Sequence, residues 1–81
     1  MRAADDAILR NKLKNELLSL LEWQEHAEFR RKREAIQEGI KRRCEYIRRT
    51  YGEEFYQKLA VCTNSLYMEN RKKGRPDFLL E

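Results

Sequence analysis

Eighty-one residues carry 18 Lys and Arg against 14 Asp and Glu, a formal net charge of +4, with 41% of positions apolar and 40% charged. A chain of this length forms at most one small domain with a modest core, and the balance of apolar and charged residues fits extended helix better than a mixed α/β domain. Two cysteines and one histidine provide no metal-ligand or CxxC spacing, and no glycine-rich phosphate loop is present, so no cofactor, metal or catalytic site is expected. Cys44 and Cys62 are expected as reduced thiols.

The stretch MRAADDAILRNK has no apolar run behind a positive start. Neither a secretory signal nor a membrane span is expected, and Asp5 and Asp6 do not suit a mitochondrial presequence. The expected setting is intracellular, soluble or assembly-bound, with cytoplasm or cytoskeleton ahead of the nucleus.

Helix is the default from Asp5 to Lys73, where no proline occurs and the glycines are Gly39 and Gly52. Asp5 and Asp6 suit a first turn. Leu9, Leu13, Leu17 and Leu20 then recur at helical intervals, with Leu18 and Leu21 broadening the stripe and Trp23 and Ala27 extending it obliquely. Arg30, Arg31, Lys32 and Arg33 interrupt the apolar pattern, but nothing there breaks a helix, so continuity is expected. The stripe resumes at Ile36, Ile40, Cys44, Ile47, Tyr51, Phe55, Leu59, Cys62 and Leu66, a spacing nearer the 11-residue repeat than the coiled-coil heptad.

Two arrangements satisfy this pattern. One is a long amphipathic helix, interrupted once or twice, that at full length would reach roughly 100 Å. The other breaks near 50–52, where Thr50 and Glu53 have capping-box spacing and Arg48 and Arg49 suit a helix end, giving a helical hairpin or three helices. A kink near 63–65 is also expected, since Thr63, Asn64 and Ser65 are weak helix formers. The all-α region spans 1–73. Gly74 and Pro76 end it, leaving an extended tail over 74–81 that carries Phe78, Leu79 and Leu80 as an apolar anchor.

Charge is distributed in blocks. Residues 1–29 sum to −2, 30–49 to +6, 50–70 to −2 and 71–81 to +2. The electrostatic candidates are Arg30, Arg31, Lys32, Arg33, Lys41, Arg42, Arg43, Arg48 and Arg49. Consecutive runs sweep around a helix at about 100° per residue, so these residues do not share one face, and a solvated helix whose Arg and Lys stems flank an apolar seam is the favoured reading. The alternative is a small basic nucleic-acid-binding protein using residues 30–49 and the Gly-Arg-Pro tail. RKKGRPDF, residues 71–78, resembles an AT-hook core, with Lys72 and Lys73 upstream but Asp77 where that element has a basic residue.

In FYQKLAVCTNSLYMENR, residues 55–71, the order Tyr56, Leu59, Leu66, Tyr67, Glu69 and Arg71 resembles a pattern of short helical microtubule inner proteins of ciliary doublets. The resemblance covers about a fifth of the chain, and Cys62, Thr63 and Asn64 stand where that pattern has a glycine-centred run. It implies a fibrous structural role on the tubulin lattice.

The expected function is therefore a non-catalytic structural or adaptor subunit with protein partners in a larger assembly. Its partner-binding residues would be Leu13, Leu17, Leu20 and Trp23 in one region, Ile40, Ile47, Tyr51, Phe55, Leu59 and Leu66 in a second, and Phe78 and Leu79 at the end. On this reading Leu17→Asp or Phe55→Asp releases a partner.

Overall fold

The computed structural model describes residues 3–26, 31–71, 76 and 78–81. The described chain is all-α: α1 spans Ala3–Trp23, α2 spans Arg33–Tyr51 and α3 spans Glu53–Arg71. No strand occurs among the described residues. The end of α1 meets the start of α2 and the end of α3 through the side chains of Gln24, Gln37 and Tyr67. Thus α1 and α3 run parallel, with α2 antiparallel to both, in a bundle 41 × 24 × 17 Å across. The single-helix arrangement is excluded by that length, and of the broken arrangements the three-helix one is present.

The expected continuity through 30–33 is overturned on the α1 side. After Trp23 the chain tightens, with Glu25 N donating to Glu22 O (3.1 Å) and His26 N to Trp23 O (3.0 Å), and a short 3₁₀ turn at 31–32 leads into α2. Local sequence favours helix here, but a straight helix would leave its whole apolar stripe in water. Most helical stability comes from packing an amphipathic face rather than from propensity, so folding back wins.

The break near 50–52 is present, though not by the expected cap. Thr50 lies inside α2, and Gly52 breaks the helix with φ +96° and ψ 158°. That conformation is open to glycine and strained for other residues. Hydrogen bonding is kept across the junction: Gly52 N donates to Arg48 O at 3.0 Å and Tyr56 N to Gly52 O at 3.1 Å. The dipoles agree, with Arg48 and Arg49 in the last turn of α2 and Glu53 and Glu54 in the first turn of α3.

At 63–65, where a kink is expected, the helix is not interrupted and α3 continues to Arg71. Thr63 is fully buried and its hydroxyl donates to Leu59 O at 2.7 Å, which satisfies the group within its own helix. Asn64 turns its amide instead toward the C-terminal segment.

The core consists of Leu13, Leu17 and Leu21 from α1, Ile40, Cys44 and Ile47 from α2, and Tyr56, Leu59, Ala60 and Tyr67 from α3, closed by Leu80. Leu9, Leu18, Leu20, Ile36, Tyr51, Phe55, Phe78 and Leu79 pack around it. Tyr51 and Phe55 stay in contact across the Gly52 break, with ring centroids 5.2 Å apart. Both cysteines are free thiols, Cys44 buried and Cys62 exposed.

Candidate protein-docking surfaces

The bundle uses most of the apolar stripe for itself. Leu13, Leu17, Ile40, Ile47 and Leu59 are buried, so these five are core and present no free docking face. Leu20, Tyr51, Phe55, Leu66, Phe78 and Leu79 are half-buried. Trp23 alone of the twelve expected partner-binding residues stands in solvent, 51% exposed on the last residue of α1. Four further large apolar side chains lie outside the stripe and are exposed: Ile8, Tyr46, Val61 and Met68. Val61 and Met68 are seven residues apart on α3 and therefore share a face. Sequence periodicity missed this outer face because two residues do not make a stripe.

The basic block divides into free and engaged charges. Arg31, Lys32, Arg33, Lys41, Arg42 and Arg49 are exposed, with Glu34, Glu38 and Glu45 exposed on the same helix. Arg43 pairs with Glu16 at 2.8 Å and lies 5.6 Å from the Tyr46 ring centroid. Arg48 is held on three sides: its Nε is 3.2 Å from Glu53, its Nη2 donates to Glu81 O at 2.6 Å, and its guanidinium lies 4.2 Å from the Tyr56 ring centroid. Arg48 is thus a packing residue as much as a surface charge. Arg30 lies outside the described residues, as do Lys72, Lys73, Gly74, Arg75 and Asp77 of the Gly-Arg-Pro segment.

The residues that resemble the microtubule inner protein pattern are largely interior here. Tyr56, Leu59 and Tyr67 are buried, Leu66 is half-buried and Arg71 is paired with Glu25, which leaves Glu69 facing solvent.

A polar network pins the end where α1 stops. Gln24 is buried, donates from Nε2 to the Tyr67 hydroxyl at 3.4 Å, and accepts from Gln37 Nε2 at 2.7 Å. Arg71 Nε lies 2.7 Å from Glu25 Oε1, although neither Nε nor Nη1 of Arg71 has an acceptor aligned for a hydrogen bond. Glu22, Glu25, His26, Arg33, Tyr67, Asn70 and Arg71 line an open recess of about 550 Å³ beside this network. Both charge signs converge there, so the recess selects no single charge.

A second feature lies between α2 and α3, where residues 78–81 sit across the bundle. Leu80 N donates to Asn64 Oδ1 at 2.9 Å, and Asn64 Nδ2 donates back to Leu80 O at 2.8 Å. Beside this segment an open cleft of about 170 Å³ is bordered by Ile40, Cys44, Arg48 and Tyr56. The Tyr56 hydroxyl is buried without an aligned hydrogen-bond partner and lies beside the Cys44 thiol.

These buried groups make stability depend on pH in one direction. Burial pushes the Cys44 thiol above 9.0 despite the nearby Tyr56 hydroxyl and Arg48 charge. Burial, reinforced by Cys44, pushes Tyr56 above its ordinary value. Burial, reinforced by Glu25, raises Tyr67 to about 12. All three hold their protons more tightly folded than unfolded, so their contribution is intact below 9.0 and is lost as pH rises toward the folded values. Thermal melts taken from about pH 8 to about pH 11 should show a falling midpoint. A flat profile over that range would show that these sites open without cost.

Among the described residues no three His, Cys, Asp or Glu side chains are placed to hold a metal ion, and no described helix is long and apolar enough to cross a membrane. Comparison of the chain with protein-family models, with curated proteins and with solved structures finds no match.

Proposed function

We propose that the protein is a non-catalytic helical adaptor that docks onto protein partners in a larger assembly through what its bundle leaves exposed. Trp23 carries this reading. It is the largest side chain in the chain, and the core buries residues one turn and less before it, yet the indole is half in solvent. It ends α1 just before Gln24, whose side chain hydrogen-bonds to Gln37 and Tyr67. An exposed tryptophan offers a large area to bury and has few rotatable bonds to immobilise, the usual character of an interface anchor. The ciliary microtubule lattice is the assembly proposed from the resemblance over residues 55–71, and co-pelleting of the pure protein with microtubules tests it.

The second reading, nucleic-acid binding, is favoured by the six exposed cations of α2 and its approach, Arg31, Lys32, Arg33, Lys41, Arg42 and Arg49. The two readings separate by variant. Trp23→Ala should leave the melting temperature within a few degrees of the parent while lowering partner affinity by about tenfold or more. Charge reversal at Arg31, Lys32 and Arg33 should change mainly the salt dependence. Affinity capture from nuclease-treated extract, followed by binding curves with the proteins identified, makes the comparison. If charge reversal abolishes binding and Trp23→Ala does not, the adaptor reading through Trp23 is wrong.

A further inference from the structure

The contact between residues 78–81 and the helices is a form of peptide recognition. Asn64 presents both halves of its amide to one residue, donating to Leu80 O and accepting from Leu80 N. Arg48 donates to the next carbonyl, Glu81 O. These three hydrogen bonds read backbone alone, and backbone groups are shared by every extended segment. Side-chain selection comes from a single position: Leu80 is 7% exposed and belongs to the core cluster, whereas Phe78 and Leu79 only pack against it. Both reading residues, Asn64 and Arg48, project from helices, so the groove's recognition groups belong to the bundle rather than to the segment it holds.

The segment leaves open space at its edge. An open cleft of about 170 Å³ lies beside it, bordered by Cys44, Arg48 and Tyr56 as well as by residues 78–81, and the buried Tyr56 hydroxyl has no aligned hydrogen-bond partner. Three hydrogen bonds and the buried Leu80 hold residues 78–81, with this open space alongside.

We propose that the groove between α2 and α3 is a binding site for an extended, leucine-bearing segment, and that the segment it takes in trans is Phe78–Glu81 of a second copy of this chain. The second copy follows from chemistry: its Leu80 and Glu81 would offer Asn64 and Arg48 the same backbone groups and the same side chain that the chain's own segment offers. Exchange of an identical element between copies creates no new kind of contact and so costs little beyond association. A tethered segment competes at an effective concentration of about millimolar, so the closed monomer dominates when dilute and exchange grows with concentration. This site is separate from Trp23 and does not depend on the docking surface assigned there.

Complementation between two full-length variants tests the proposal, with Cys62→Ser in both so that buried Cys44 is the reporter thiol. Leu80→Asp keeps the groove and disables the segment; Asn64→Ala keeps the segment and disables the groove. Circular dichroism establishes that each remains helical, and Leu80→Ala replaces Leu80→Asp if the latter does not. Lifting the segment should speed alkylation of Cys44 by roughly tenfold, since reactivity follows the open population. Adding excess Asn64→Ala protein to the Leu80 variant should then slow that alkylation again and produce a mixed dimer in sedimentation. Two Leu80 variants mixed together should do neither. Three results each overturn the proposal: no faster alkylation in a folded Leu80 variant, no protection or dimer on mixing, or protection by an added peptide of residues 76–81 but not by the Asn64→Ala chain.

Discussion

Leu17→Asp unfolds the protein rather than releasing it from a partner. Leu17 is fully buried among α1, α2 and α3. Shortening such a leucine to alanine costs about 3 to 5 kcal/mol through lost transfer energy and the cavity left behind, and a carboxylate without a buried cation adds a few kcal/mol more. A domain of this size has a total stability of about 4 to 12 kcal/mol. The far-ultraviolet helical signal should therefore be largely lost at room temperature, with Leu17→Ala giving a folded but markedly less stable protein. Phe55→Asp is the control, because Phe55 is only half-buried beside Tyr51 and its replacement should cost less. A helical Leu17→Asp protein with an ordinary melt would mean that the α1 stripe faces outward after all.

The contrast with the sequence expectation for Leu17 shows which information was local. Apolar spacing identified α1 and α2 well: Leu13, Leu17, Ile40, Cys44 and Ile47 all lie in the core. It did not reveal whether the stripe met a partner or the same chain, since burial looks alike in either case. The end of α1 left no local mark, because Gln24 becomes a terminus only by reaching Gln37 and Tyr67, which lie 13 and 43 residues away.

In α3 the difference is one of phase. Extending the stripe through Tyr51, Phe55, Leu59, Cys62 and Leu66 implies a buried face on those residues, whereas the observed one is Tyr56, Leu59, Ala60, Thr63 and Tyr67, with Cys62 exposed. The face has moved by about one residue, equivalent to roughly 100° of helix. An unbroken helix would carry the phase of α2 forward, but the backbone turn at Gly52 frees α3 to present another side. The exposed docking candidate Trp23 was legible for the opposite reason: it continued the stripe obliquely, at its edge, where the core no longer reaches.

Because that turn controls both the direction and the phase of α3, the two internal glycines should respond to alanine with opposite sign. Nothing lies within 4 Å of a Cβ built at either Gly39 or Gly52, so crowding decides neither case. Gly39 is exposed within α2, where alanine reduces the unfolded chain's freedom and suits the helix; Gly39→Ala should stabilise by about 0.5 to 1 kcal/mol. Gly52 holds φ +96°, and a Cβ there must accept backbone strain of about 1 to 3 kcal/mol or push the chain toward helical dihedrals. At about 4 to 8 °C per kcal/mol for a small domain, Gly39→Ala should melt a few degrees higher and Gly52→Ala clearly lower than the parent. The lower melt has a second consequence. A residue that favours helical dihedrals at position 52 favours joining α2 to α3, and the joined helix exposes Ile40, Ile47 and Leu59 together. Gly52→Ala should therefore also self-associate at concentrations where the parent is monomeric, measurable by sedimentation. If Gly52→Ala melts with the parent and stays monomeric, the positive φ is not what separates the two helices.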